Sequence, residues 1–338
     1  MILAARINGM RGLIPGMVLC VTVGMAASFL SGHYGAPVML FALLLGVAFN
    51  FVEPAGKFQP GVTFASKTLL RVGVALLGAR VTLGSMTELG IMPLFLAILG
   101  VMLTMGLGII LAHFMGRNTA FGVLTGGAVG ICGASAALAL SSVLPRGPGG
   151  ISERDTIFTV VSVTALSTVA MVAYPILAKL LGFDDTRAGI FIGATVHDVA
   201  QVVGAGFSIS DVAGNTATIV KLVRVAMLIP VIAGLAFFLR NRGGSDGQTE
   251  GSATLFPTFL MGFIGLMIVN SFGLIPPLVT TIAADSSRWF LVIAIAGLGT
   301  KTSLGQLMEV GPRAAVIIVT QTLALALFAV GTLMWWPL

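Results

Sequence analysis

An all-α integral membrane protein is the fold class this sequence predicts, on three observations. Hydrophobic residues fill 57% of its 338 positions and charged residues only 9%, against roughly 25% charged in a soluble domain. Predominantly apolar runs long enough to cross a hydrocarbon core of about 30 Å follow one another with short polar breaks between them. The runs are continuous rather than alternating, which favours helices over barrel strands, since a lipid-exposed backbone must satisfy its own hydrogen bonds. No loop is long enough for a soluble domain, so one polytopic membrane domain over 1–338 is expected.

The first run, 13–30, follows Arg6 and Arg11 and reads as helix one rather than a cleaved signal peptide, because many more spans come after it. Runs at 36–52, 62–79, 91–113, 119–144, 156–181, 187–207 and 214–239 succeed it. Asn241–Ser252 (NRGGSDGQTEGS), the most hydrophilic internal stretch, reads as part of a flexible Gly/Ser loop over 241–254. Runs at 255–273, 288–300 and 313–336 close the chain, making about eleven spans. With the amino terminus cytoplasmic, the inside ends collect Arg6, Arg11, Lys57, Lys67, Arg117, Lys179, Arg187, Arg240, Arg242 and Arg313, while Arg146, Arg154, Arg288 and, in one placement, Arg80 fall outside. That bias predicts a multi-pass protein of the cell (inner) membrane with its amino terminus in the cytoplasm.

The net charge of +6 is scattered over short loops, with no basic cluster or aromatic interleaving, so nucleic acid is not expected as a partner. Cys20 and Cys132 sit in predicted spans with neither a disulfide framework nor metal-ligand spacing. No GxxxxGK[ST] loop is present to cradle a nucleotide. Neither a cofactor nor a metal is expected.

Two stretches read alike: Gly78–Gly90 (GARVTLGSMTELG) and Gly299–Gly311 (GTKTSLGQLMEVG) share Gly78/Gly299, Leu83/Leu304, Gly84/Gly305, Glu88/Glu309 and Gly90/Gly311. Arg80 falls on Lys301. The span count places the copies in opposite senses, as an inverted-topology duplication requires, and corresponding glycine-interrupted segments in two halves point to a transporter's binding site. Each cation also admits a placement at a membrane surface, where its preceding glycine ends the helix.

Ionisable and polar groups that interrupt spans mark function, because they are costly there. Gly126–Ser135 (GGAVGICGAS) has four glycines in ten residues, each weakening a helix by about 1 kcal/mol against alanine. A break there would turn backbone amides toward an anion beside Cys132, Gly133 and Ser135; close helix packing through small residues is the competing reading. Gly193–Gly206 (GATVHDVAQVVGAG) carries His197, Asp198 and Gln201. On a continuous helix His197 and Gln201 share a face while Asp198 points about 100° away. The bland alternative is a helix end that meets water. Thr218–Arg224 (TIVKLVR) sets Lys221 and Arg224 on one face, either snorkelling to headgroups or paired with an anion or with Asp198.

Arg80, Lys221, Arg224 and Lys301 outnumber Asp198, the one acid firmly inside a span. Unpaired buried charge costs several kcal/mol, so this excess favours an anionic substrate, whereas a cation carrier would concentrate carboxylates. His197 can change charge near neutral pH, and a buried Asp198 can take up a proton.

LLGAR at Leu76–Arg80, ICGASAA at Ile131–Ala137, GATVHDVAQV at Gly193–Val202, and KLxR with a following proline at Lys221, Arg224 and Pro230 together resemble the YeiH-like sulfate exporter family. The resemblance covers nearly the whole chain in the expected order. It implies an inverted-repeat secondary transporter, similar in outline to sodium/proton antiporters and bile acid symporters, with discontinuous helices crossing at the membrane centre. A core that moves against a scaffold, commonly in a homodimer, belongs to that picture, as does export of a small sulfur oxyanion such as sulfate, sulfite or a sulfonate. The substrate-binding residues expected are Arg80, Cys132, Gly133, Ser135, Gln201, Lys221, Arg224 and Lys301, with His197 or Asp198 coupling protons. A monovalent cation/proton antiporter using Asp198 is the second reading. The remote third is an intramembrane enzyme pairing the Cys132 thiol with the His197 imidazole.

Overall fold

The computed structural model describes residues 2–34, 38–79, 81–82, 84, 90–147, 149–241, 258–301 and 312–335. These residues are almost all helical. Among the described residues, six helices are long and apolar enough to cross a membrane: Gly12–Tyr34, Met92–Phe114, Glu153–Leu180, Asp211–Leu239, Pro277–Lys301 and Ala315–Trp335. Shorter apolar helices occupy Val38–Ala48, Thr119–Gly130 and Thr258–Ser271. Large apolar side chains stand exposed along them, Phe29 at 75% and Leu180 at 79% among others, which suits lipid and not water.

The chain forms two compact units. The first takes in residues 1–88, 203–215 and 258–303. It contains α1 (Ile2–Tyr34), α2 (Val38–Ala48), α3 (Gln59–Thr63), a π turn (Phe64–Leu69) and α4 (Leu70–Leu77). Later in the chain, α13 (Thr258–Ser271) and α14 (Pro277–Lys301) belong to the same unit. Helix α14 packs on α1, α2 and α4, and α13 on α4. Glycines set the closeness of α2 and α14: a Cβ at Gly46 or Gly299 would collide with the facing backbone at Ala296 or Leu43. Membrane helices, lacking a hydrophobic drive to associate, gain from such backbone approach. Lys301 Nζ donates to Thr63 Oγ1 at 3.2 Å within this unit.

Apolar runs alone place the start of α14 at residue 288, eleven positions too late, because Asp285, Ser287 and Arg288 lower the local hydropathy without ending the helix. Ser287 instead donates its hydroxyl to the Gly73 carbonyl at 2.6 Å, satisfied inside the unit.

The second unit takes in residues 89–202, 216–257 and 304–338. Its elements are α5 (Met92–Phe114), α6 (Thr119–Gly130), α7 (Ala134–Ser141), α8 (Glu153–Leu180), α9 (Asp185–Thr195) and α15 (Pro312–Trp335). Residues 199–202 of α10 (Val199–Phe207) and 216–226 of α11 (Asp211–Ala226) also belong to it, and α12 (Leu228–Asn241) follows. A stripe of glycines, Gly122, Gly126 and Gly130, lays α6 against Thr104 and Gly108 of α5 with no room for a Cβ. Gln321 of α15 donates to the Thr104 carbonyl and to Thr125 Oγ1, each at 3.2 Å, tying three helices together.

Helix starts follow capping chemistry. Asn118 Oδ1 accepts from the Phe121 amide at 2.8 Å to begin α6, and a Ser152/Asp155 capping box begins α8. Arg117 pairs with Asp155 and lies 4.3 Å over the Phe121 ring, while the Asn118 amide donates to the Gly150 carbonyl. The α5–α6 turn is thereby clipped to the loop before α8. Arg80, most of 78–90, residues 302–311 of the second repeat copy and the loop after Asn241 lie outside the described residues.

Candidate functional site

Helix α6 stops at Gly130 and α7 starts at Ala134, so the glycine-rich run is interrupted at Ile131, Cys132 and Gly133. Gly133 has φ 65° and ψ −128°, a conformation that side-chain-bearing residues adopt only under strain. Its amide donates back to the Ala128 carbonyl at 2.8 Å. The run 187–207, read from sequence as continuous, is also interrupted: α9 ends at Thr195 and α10 begins at Val199. The reason is local. The amides of His197 and Asp198 donate to Ser167 Oγ of α8, at 3.2 and 3.0 Å, instead of to helix carbonyls. Asp198 Oδ1 then accepts from the Ala200 amide at 2.8 Å and caps α10.

His197 thus sits in a break and not on the helical face it would share with Gln201. Its Nε2 lies 2.9 Å from Thr322 Oγ1 of α15, while Gln201 Nε2 donates to Thr168 Oγ1 of α8 at 2.8 Å.

The two breaks touch. Backbone and Cβ atoms of His197 lie 3.6 Å from where a Cβ on Gly133 would stand. Lys221 and Arg224, 0% and 1% exposed, reach this junction from α11. Lys221 Nζ donates to the carbonyls of Ile131 at 2.8 Å and Val196 at 3.0 Å. Arg224 donates through Nε to Gly130 (2.8 Å), through Nη2 to Val129 (2.8 Å), and through Nη1 to Gly193 (3.1 Å) and Val196 (3.2 Å). Burial to this depth rules out snorkelling, the reading that sequence left open for both cations.

Their hydrogen-bond partners are a class that sequence reasoning missed. The last carbonyls of a helix lack intrahelical donors and carry partial negative charge. Two helices end here, in mid-chain and out of reach of water, and the two cations supply the donors that both ends lack. A cation so placed is worth up to about 2 kcal/mol in partly buried geometries. No sequence signal could have shown this, because a backbone carbonyl is present at every residue.

The same breaks start two half-helices, α7 and α10, whose first amides carry partial positive charge. At α10 the Ser167 hydroxyl and the Asp198 carboxylate answer them. At α7 the Ala136 amide is directed at the buried Cys132 sulfur, and Ser135 in the first turn is exposed. Asp198 is half-buried and in electrostatic contact with Lys221. The His197 imidazole bonds Thr322 and not the Cys132 thiol, so no nucleophile–base pair is formed.

Cys132, Gly133, His197, Asp198, Lys221 and Arg224 therefore converge on one junction, with Gln201 and Ser135 each within a turn of a break. Lys301 belongs to the first unit, against Thr63. The described residues contain no group of three or more His, Cys, Asp or Glu able to hold a metal ion.

Fold and junction together define a polytopic helical membrane protein built around interrupted helices. The chain belongs to the family described as Conserved hypothetical protein 698, whose sequence profile matches residues 15–318. It is similar to UPF0324 membrane protein CT0845 of Chlorobaculum tepidum, 51% identical over 322 residues, 95% of this chain and 89% of that protein. UPF0324 membrane protein TauZ of Paracoccus pantotrophus is 50% identical over 328 residues, 96% of each chain. A UPF0324 membrane protein of Pseudomonas putida is 32% identical over 318 residues, 91% of this chain and 87% of that protein. The YeiH-like resemblance read from the motifs is consistent with this membership.

Proposed function

We propose that this protein is a secondary transporter that exports a small sulfur oxyanion, such as sulfate, sulfite or a sulfonate, from the cytoplasm. One observation carries the transport reading: two interrupted helices whose breaks lie in contact, bound by two fully buried cations. Discontinuous helices with half-helix termini inside the membrane are the recurring build of transporter binding sites. The anion reading is supported by the sign of the junction, where Lys221 and Arg224 outweigh Asp198, and by two half-helix amino termini that begin there. The sulfur chemistry rests on the motif resemblance.

In this reading the interrupted pairs α6/α7 and α9/α10, with α2, α13 and the segment from α3 to α4, complete eleven crossings of the inner membrane, amino terminus inside, in a homodimer. Coupling is to protons, through His197 or Asp198. Flux of labelled sulfate, sulfite and methanesulfonate into proteoliposomes under an imposed pH gradient tests it. No flux of any of the three, or flux indifferent to Ser135→Leu and Lys221→Ala, sinks the anion reading.

One observation favours a second reading, a monovalent cation/proton antiporter: Asp198 is a half-buried carboxylate at a helix break beside Lys221. That carrier would move protons on addition of sodium or potassium without any of these anions, and Asp198→Asn would abolish the movement.

A further inference from the structure

We propose that His197 is the group that takes up a proton together with the transported anion, and that Thr322 selects the ring nitrogen that receives it. This rests on the anion-transport reading and decides between the two neighbouring residues offered there. Thr322 Oγ1 donates its hydrogen to the Ile318 carbonyl at 2.9 Å, so its oxygen is left to accept from His197 Nε2, also 2.9 Å away. That bond holds the neutral ring with its proton on Nε2 and makes Nδ1 a bare acceptor. Nδ1 is fully buried and has no hydrogen-bond partner among the described residues. An unanswered buried acceptor is costly and calls for an explanation.

The charged groups acting on the ring are Arg224 and Lys221 of α11. Asp198 is its neighbour in the second break and Cys132 stands in the first, while α8 and α15 contribute the hydroxyls of Ser167, Thr168 and Thr322 around the break. A proton on Nδ1 adds a third positive charge beside two fixed ones, and an anion arriving at the junction offsets it. Anion and proton therefore favour each other's binding, and by linkage each raises the other's affinity by the same factor. Asp198 suits the role less well. Its carboxylate is engaged as the cap of α10 and as a countercharge to Lys221, and protonation would weaken both.

Proteoliposomes holding a pH-sensitive dye, with sulfate as the probe because it does not titrate near neutrality, provide the test. In the wild type a sulfate gradient is expected to drive protons in the same direction, with sulfate affinity falling as pH rises, by at most about tenfold per pH unit for a one-proton linkage. His197→Gln is expected to abolish sulfate-driven proton movement and to flatten the pH dependence of sulfate affinity. Thr322→Val, which keeps the imidazole but frees its tautomer, is expected to move the midpoint of that dependence and serves if His197→Gln does not fold. Proton movement that survives His197→Gln, a midpoint unmoved by Thr322→Val, or wild-type sulfate flux without protons overturns the assignment and leaves transport standing. Absence of all anion flux in the wild type refutes the transport reading itself.

Discussion

Lys221 and Arg224 differ in how much of the junction each holds, and substitution should separate them. Lys221→Met leaves the Ile131 carbonyl without this donor, whereas the Val196 carbonyl keeps Arg224. Arg224→Met removes the donors to Val129, Gly130 and Gly193 together. At about 1–3 kcal/mol for each buried acceptor orphaned, the arginine variant should be the less stable by several kcal/mol. Thermal unfolding in detergent checks the order; an Arg224→Met protein as stable as Lys221→Met would contradict it. Cys20 and Cys132, 0% and 5% exposed, should resist membrane-permeant maleimides in the folded protein and react fully only after denaturation. Rapid labelling of Cys132 in the native state would mean that the first break opens to solvent.

Glycines carry the element-level argument, and they fall into groups that composition cannot tell apart. Gly122 meets the backbone of Gly108 where α5 and α6 touch, while Gly106 on α5 has nothing within 4 Å of a built Cβ. Gly122→Ala should therefore cost about 1–3 kcal/mol through overpacking. Gly106→Ala should be neutral, or stabilising by up to about 1 kcal/mol through helix propensity. Gly133 belongs to a third group, with space for a methyl group at 3.6 Å but a backbone at φ 65° and ψ −128°. Gly133→Ala is expected to lose about 1–3 kcal/mol to strain, and on the transport reading to lose anion flux too, since the turn that starts α7 depends on this residue. Equal unfolding temperatures for all three variants would refute this sorting. A smaller effect, about 1 kcal/mol, is expected for Ser152→Ala at the cap of α8.

For the whole molecule, the charge bias of the loops predicts a reporter fused at residue 1 on the cytoplasmic side and one fused after Leu338 on the far side. Reporters found on the same side would remove the odd number of crossings and the opposite senses of the two repeat copies.

The membrane class and the general run of helices were legible in the sequence, because apolar length is a property of consecutive residues and lipid demands it of each span. The same linear signal misplaced the start of α14 at Asp285–Arg288, where a tertiary contact from Ser287 to Gly73 keeps a polar turn helical. Residue types also marked the places that matter: a glycine-rich run, a His-Asp pair and two cations in an apolar helix. Their relations were not legible. That His197 and Asp198 leave the helix depends on a hydroxyl at Ser167, 30 residues earlier in the chain for His197. That Lys221 and Arg224 bind helix ends depends on carbonyls up to 95 residues away. Sequence by itself determined the solvent, the helices and the residues able to carry charge, since each follows from local composition. Only the tertiary structure decided what those charges answer, because a backbone carbonyl becomes a specific partner only when folding ends a helix in front of a cation.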